Sequence, residues 1–222
     1  MEMRRGAKRH DGWLAIIIVV GILIVDQIVK IMVKTNMSLR ESIFITDWFQ
    51  INFIENNGMT FLNKVVLSLF RIIASGFIGY YIYKLVHLRH RTCYIVMLSM
   101  ILAGALGNLF DSVFYGLIFT ESTPYTVSQF VSFGTGYAPF LMGKVVDMFY
   151  FPLIVTTWPE WVPIWGGSEF IFFSPVFNLA DASISVGVVL LLLFCRKDLE
   201  NFTVTFFHGT KWERKAKSVD EP

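Results

Sequence analysis

Four aspartates stand inside or at the edge of apolar runs: Asp26 in "VDQIVK", Asp111 in "GNLFDS", Asp147 in "KVVDMFY" and Asp181 in "FNLADAS". A charge near the centre of a bilayer costs about 2.5 to 3.5 kcal/mol even on the lenient insertion scale, so an acid kept there has a partner or a task. Asp26 and Lys30 are spaced i,i+4, on one helical face and in the order that favours an ion pair. That pair is either structural, near the outer interface with Lys30 reaching toward headgroups, or a device that orients a substrate. Asn108 and Asp111, at i,i+3, project from nearly the same face, toward a neighbouring helix or a ligand. Asp147 and Asp181 are far apart in sequence, but one follows an outer loop and the other begins the last apolar run. Both therefore belong at the outer end of the bundle.

Two carboxylates that meet in a low-dielectric cleft cannot both ionise comfortably; one pKa rises and the pair shares a proton. The ionised member then draws a proton from water as general base. The protonated member hydrogen-bonds to a scissile carbonyl and carries developing charge. This is the arrangement of an aspartic protease, and it needs neither metal, cofactor nor covalent intermediate. The residues alone leave three readings open: paired catalysis, a proton or ion pathway, and purely structural hydrogen bonding.

The elements that position these groups follow from composition. The chain has 222 residues, 55% of them hydrophobic, and a mean hydropathy of +0.57. That is too apolar for an ordinary soluble domain and the length of one compact unit. A net charge of only +2 implies no broad nucleic-acid surface, and no basic strip interleaved with aromatics suggests one. Cys93 and Cys195 form no CxxC, and His10, His87, His90 and His208 fall near basic flanks, which leaves a metal centre without a ligand set.

Four apolar segments, about 13–33, 65–86, 93–118 and 175–195, are long enough or nearly long enough to span a bilayer as helices of about 20 residues. The first is preceded by a basic stretch but lacks a small-residue cleavage site, so it reads as a retained helix rather than a signal peptide. Arg4, Arg5, Lys8 and Arg9 precede it, Arg89 and Arg91 separate the second and third, and Arg196 and Lys197 open a basic tail. The positive-inside rule makes those three segments and both termini cytoplasmic. The regions about 34–64 and 119–174 are then outside. Within the first, Phe49, Ile51 and Phe53 alternate with Gln50 and Asn52, the period-2 pattern of a half-buried strand. Within the second, Trp158, Trp161 and Trp165 fit an aromatic belt at headgroup level. The tail from Arg196 onward reads as a short, partly disordered extension. The expected fold is an α-helical integral membrane protein, four transmembrane helices with a small outer-face β element, forming a single domain over 1–222.

Five motifs follow one another between Asp26 and Gly187: "DQIVK" (Asp26 to Lys30), "NNGMTF" (Asn56 to Phe61), "GALGNLFDS" (Gly104 to Ser112), "VVDMF" (Val145 to Phe149) and "FNLADASISVG" (Phe177 to Gly187). In type and order they resemble those of the bacterial lipoprotein signal peptidases, the signal peptidase II family: Asp-Gln-x-x-Lys, Asn-x-Gly-x-x-Phe, Gly-Ala-x-Gly-Asn-x-x-Asp-Arg, Val-Val-Asp-Phe and Phe-Asn-x-Ala-Asp-x-x-Ile-x-x-Gly. The resemblance implies an aspartyl endopeptidase that removes signal peptides from diacylglyceryl-modified prolipoproteins, cutting just before the lipidated cysteine. It implies a catalytic dyad of Asp147 and Asp181, a substrate site lined by Asn56, Gly58, Asn108, Asp111 and Asn178, and a structural or orienting pair in Asp26 and Lys30. It further implies an outer-face β-cradle with a neighbouring interfacial helix, residence in the bacterial inner membrane among its lipids, an active site near the outer face, and binding of cyclic peptide inhibitors that mimic the substrate.

This chain departs from the family pattern in two places. Ser112 stands where the family has arginine, and Arg71 and Lys144 are the candidates to replace that charge. The stretch Phe114 to Lys144 contains an insertion, "TESTPYTVSQFVSFGTG", and Thr156 to Phe173 is also elaborated. The insertion is expected to form an outer-face lid or to extend the substrate groove. The competing functional classes are a proton-coupled transporter subunit, which would use Asp26, Asp111, Asp147 and Asp181 as a relay, and a non-catalytic lipid-binding or assembly protein.

Overall fold

The computed structural model describes residues 10–56 and 61–207. Among the described residues three helical runs are long and apolar enough to cross a membrane: α1 (Asp11–Asn36), α2 (Phe61–His87) and the run Thr92–Ile118. At 1.5 Å per residue the first two measure about 40 Å, more than a hydrocarbon core of about 30 Å requires. The third comprises α3 (Thr92–Phe110), a π-helical turn (Asp111–Tyr115) and a last turn, α4 (Gly116–Ile118). A fourth apolar helix, α5 (Leu179–Phe194), has 16 residues and reaches about 24 Å. Ile16, Ile17 and Ile24 of α1, Phe70 and Ile73 of α2, and Leu192 and Leu193 of α5 are exposed on the outside of the bundle, as lipid contact requires.

Apolar pattern alone starts the last helix at Pro175, but α5 begins four residues later. Asn178 has extended backbone (φ −117°, ψ 177°) and its side chain accepts from the Asp181 N–H, so it is the N-cap. Phe177, just before it, pairs with Phe149 as a β-bridge instead of entering the helix.

Helix α3 lies at the centre, packed against α5, α1 and α2. The close approach depends on Gly104, where an added Cβ would sit 2.2 Å from the Ala180 carbonyl oxygen. Without a hydrophobic drive between helices in lipid, such small residues are what allow tight packing. Two apolar cores result. One, around Tyr81, Leu85, Tyr94, Ile95 and Leu191, closes the end where α5 finishes. The other, around Val33, Phe53, Phe119, Val146 and Met148, joins the opposite end of the bundle to a cap.

The cap contains a three-stranded antiparallel sheet in the order β1 (Ser42–Thr46), β2 (Phe49–Glu55), β3 (Val146–Tyr150). Strand β2 covers the segment whose alternation predicts a strand; Phe53 is fully buried, while Phe49 and Ile51 are half-buried. A separate hairpin, β4 (Ile154–Thr157) and β5 (Glu169–Phe172), carries the three tryptophans in and beside its connection. The insertion packs on this cap: the Leu39 N–H donates to the Thr123 carbonyl at 3.0 Å, and Ser122 donates to Glu55 at 2.9 Å.

Of the extension from Arg196 onward, expected to be short and partly disordered, residues 196–207 are described and are ordered; the rest lies outside the described residues. Those residues form α6 (Arg196–Glu200) and α7 (Phe202–Phe207); Phe202 meets Tyr81 of α2 edge-on and Phe206 stacks on Phe77, with ring centroids 4.8 and 5.1 Å apart. The reason lies in "FTVTFF", which places two aromatics at i,i+4 on one face; the basic residues beyond it had dominated the composition.

Candidate active site

Asp147 and Asp181 come from different elements and meet around one amide. On β3, Asp147 is held opposite Ile54 of β2 by strand register. Asp181 is the third residue of α5, so its position follows from the cap at Asn178. The same Asn178 serves both: its Oδ1 accepts from the Asp181 N–H at 2.8 Å, and its Nδ2 donates to Asp147 Oδ1 at 2.7 Å. The Phe149–Phe177 bridge, with N–H···O distances of 2.7 and 3.0 Å, fixes the strand and the helix start relative to each other. A carboxylate in the first turn of a helix is also favoured by the backbone dipoles there.

A second amide completes the pair. Asn108 of α3 donates through Nδ2 to Asp181 Oδ1 at 2.7 Å, and its Oδ1 accepts from Asn178 Nδ2 at 3.1 Å. Each aspartate is thus tied through Oδ1, and among the described residues no hydrogen bond engages either Oδ2. Both side chains are half-buried, so water reaches the free oxygens.

Beneath the amides lies a buried charge network. Lys30 Nζ donates to Asp26 at 2.9 Å, Asp111 at 2.8 Å and Asn108 Oδ1 at 3.1 Å, which uses all three of its protons. Lys30 and Asp111 are fully buried, so Lys30 does not extend toward headgroups; two acids and an amide hold it in the bundle. Asp26 Oδ1 also accepts from the Ala180 N–H at 2.9 Å, tying α1 to the first turn of α5. Gln27 donates to Asp111 at 2.9 Å and accepts from the Tyr115 hydroxyl at 3.0 Å. The sequence pairing of Asp26 with Lys30 and of Asn108 with Asp111 therefore converges on one cluster, while the part played by Gln27 is visible only in three dimensions.

Burial pushes the Asp147 carboxyl up to about 7, and the neighbouring charge of Asp181 adds to the rise; the Asn178 hydrogen bond opposes it. Desolvation and a like charge both favour the neutral acid. Near neutral pH Asp147 can therefore carry the proton that the pair shares.

Of the two cations considered for the arginine missing at position 112, only Arg71 reaches it. Arg71 Nη1 donates to Ser112 Oγ at 2.7 Å. Lys144 instead pairs with Glu121 at 2.9 Å and lies 3.5 Å from Glu55. Asn56 lines a pocket with Lys64, Ser68, Arg71 and Ser112, and its backbone N–H donates to the Val145 carbonyl at 3.2 Å. These contacts place it in the pocket around Arg71 and Ser112. Gly58 lies outside the described residues. Sequence reading also passed over Lys34, which is buried and pairs with Glu55 and Ser122 in the cap. Among the described residues, no cluster of three His, Cys, Asp or Glu side chains could hold a metal ion.

Fold and site together define a membrane protein with two carboxylates set on a pair of neutral amides at one end of a helical bundle. A model of the family described as Signal peptidase (SPase) II matches residues 18–196, and the chain belongs to that family. It is 50% identical over 192 residues to a protein of Porphyromonas gingivalis named lipoprotein signal peptidase, with 84% of each chain covered. It is 33% identical over 189 residues to a protein of the same name from Amoebophilus asiaticus, covering 80% of this chain and 75% of that one. A solved structure described as a bacterial membrane enzyme, obtained by the in meso method at 1.9 Å resolution, shares the fold with a TM-score of 0.56 at 23% identity, covering 83% of this chain and 94% of that chain.

Proposed function

We propose that this chain is an aspartyl endopeptidase that removes signal peptides from diacylglyceryl-modified prolipoproteins, cutting just before the lipid-bearing cysteine. The observation that carries the reading is the pairing of Asp147 and Asp181 across Asn178 and Asn108, each with one oxygen tied and the other open. Family membership and the shared name of the relatives support the substrate class.

The chemistry follows from the two environments. Asp181, ionised, takes a proton from water as the water oxygen attacks the scissile carbonyl carbon. Asp147, protonated, donates to the carbonyl oxygen and releases its proton to it as the tetrahedral diol forms. On collapse the C–N bond breaks, Asp181 returns a proton to the leaving nitrogen, and Asp147 recovers one from the diol. Neutral amide donors at Oδ1 orient the acids without adding a charge that would force both to ionise. Substrate contact falls to Asn56, Gly58, Asn108 and Asn178, whereas Asp111, which is fully buried, joins Asp26 and Lys30 in holding the site from below.

In this reading residues 1–222 form one domain and α5 is a fourth span, short because its first turn is devoted to Asp181. The protein sits in the inner membrane with both termini cytoplasmic and the cap outside, as Arg89, Arg91, Arg196 and Lys197 at the opposite end support. Diacylglyceryl chains and signal helix then approach from lipid, and water from the cap side. The test is hydrolysis of a diacylglyceryl-modified prolipoprotein in H2-18O, followed by mass spectrometry. The reading requires one product beginning with the lipidated cysteine and the label in the new carboxylate of the released peptide; a cut elsewhere, or no cut, contradicts it.

A further inference from the structure

Four polar side chains in the first half of α2 fall in one stripe. Lys64, Ser68, Arg71 and Ser75 recur at i, i+4, i+7 and i+11, one face of a helix, while Val66, Phe70 and Ile73 are exposed on the opposite side. A guanidinium in a membrane helix is costly, and such groups face a bundle interior or a wet cavity and mark a ligand path. Arg71 does so: it lines a pocket with Asn56, Lys64, Ser68 and Ser112.

Its partners are few. One N–H donates to the neutral Ser112 hydroxyl at 2.7 Å, and among the described residues no other hydrogen bond and no ion pair engages Arg71. A guanidinium has five donors in a rigid fork, so most of its capacity is unused. Ser112 is built to present it, since its own proton goes to the Asn108 carbonyl at 3.0 Å and leaves its lone pairs for Arg71. The carboxylates of Asp111, Asp147 and Asp181 are near enough to act on the guanidinium electrostatically. They balance its charge and would repel an added anion, so the group that suits the fork is an uncharged, strong acceptor.

We infer that Arg71, with Lys64 beside it, binds carbonyl oxygens of the substrate next to the scissile bond, supplying from α2 the guanidinium that position 112 lacks. This rests on the peptidase reading above. The carbonyls have two sources, the ester groups of the diacylglyceryl moiety and the peptide backbone flanking the cut.

The test uses full-length wild type, Arg71→Gln, Arg71→Lys and Ser112→Ala, each checked for thermal unfolding. The two substrates are a diacylglyceryl-prolipoprotein and its dialkyl ether analogue, which lacks the ester carbonyls. Arg71→Gln is expected to raise KM about 10- to 100-fold with kcat within about threefold, Arg71→Lys to recover part of the loss, and Ser112→Ala to raise KM a few-fold. If ester carbonyls are the ligand, Arg71→Gln costs nothing further on the ether substrate; if peptide carbonyls are, it costs the same on both. An unchanged KM in Arg71→Gln beside an active wild type overturns the inference alone, as does a loss confined to kcat. An inactive wild type overturns the peptidase reading beneath it. Should Arg71→Gln fail to fold, the KM of Arg71→Lys decides.

Discussion

At the scale of residues, the site works by giving every buried charge a partner and leaving two oxygens free. Lys30 is the test of that statement. Replacing it with methionine strands Asp26 and Asp111 in the bundle without their cation, and breaking a buried ion cluster in this way costs about 3–5 kcal/mol; a melting curve in detergent will show it, and an unchanged midpoint would mean the acids are compensated otherwise. Asp147 makes a second prediction, with a sign. Its native pKa of about 7 lies above its ordinary value of 3.8, so the native state holds a proton that the unfolded chain releases earlier. Stability contributed by that proton is present below pH 4 and is lost as pH rises to about 7. Asp147→Asn, which cannot ionise, should flatten this stretch of the stability profile. Activity should fall above pH 7 as Asp147 loses the proton it donates. The acids, Lys30 and Asn108 were legible in sequence because helical spacing and the rarity of charge in apolar runs single them out. The Arg71–Ser112 contact joins residues 41 apart and needed the bundle to be assembled before it could be seen.

At the scale of elements, the placement of the two aspartates reduces to a cap, a strand register and a helix crossing. Asn178 decides where α5 starts, and its side chain also holds Asp147. Asn178→Ala should therefore cost about 1–3 kcal/mol of stability, from a lost cap and a buried donor and acceptor left unpaired, and should lower turnover by freeing both acids. Asn178→Asp would keep the cap but set a third charge beside the pair, so restored stability without restored activity is the expected result. The α3–α5 crossing depends on Gly104, whose added Cβ would lie 2.2 Å from a backbone oxygen that cannot swing away. Gly104→Ala should destabilise by about 1–3 kcal/mol or more, whereas a wild-type melting point would show that the helices can part there. Strand β2 was readable because its side chains alternate. The β4–β5 hairpin was not, since its strands are four residues each and the Trp- and Pro-rich connection between them hides any period. The late start of α5 was hidden for a related reason: Pro175 to Phe177 are as apolar as the helix they precede.

At the scale of the whole molecule, the bundle supplies depth and the cap supplies position. The cap is bound to the bundle by its own buried charges, with Lys34 of α1 paired to Glu55 of β2, and Lys144 and Ser122 from the insertion closing on the same carboxylate. Those contacts make the insertion a packed wall of the cap. Glu55→Gln should leave Lys34 uncompensated, loosen β2 from the insertion and reduce processing together with stability, read by proteolysis between residues 119 and 144. The family relationship was visible from five short motifs, four of which supply the acids, the amide pair and the buried charge network. The contacts made by the insertion and by α6 and α7 were not, because they depend on which exposed face each segment finds. Cleavage of a lipidated prolipoprotein is assigned to Asp147 and Asp181 acting together, without a metal. The measurement that tests it most directly is cleavage of a diacylglyceryl-modified prolipoprotein by folded wild type, Asp147→Asn and Asp181→Asn, all in EDTA. Full activity is expected in the wild type and a loss of at least about a thousandfold in each variant; comparable cleavage by either variant, or abolition of wild-type activity by EDTA, would rule out a metal-free pair of aspartates.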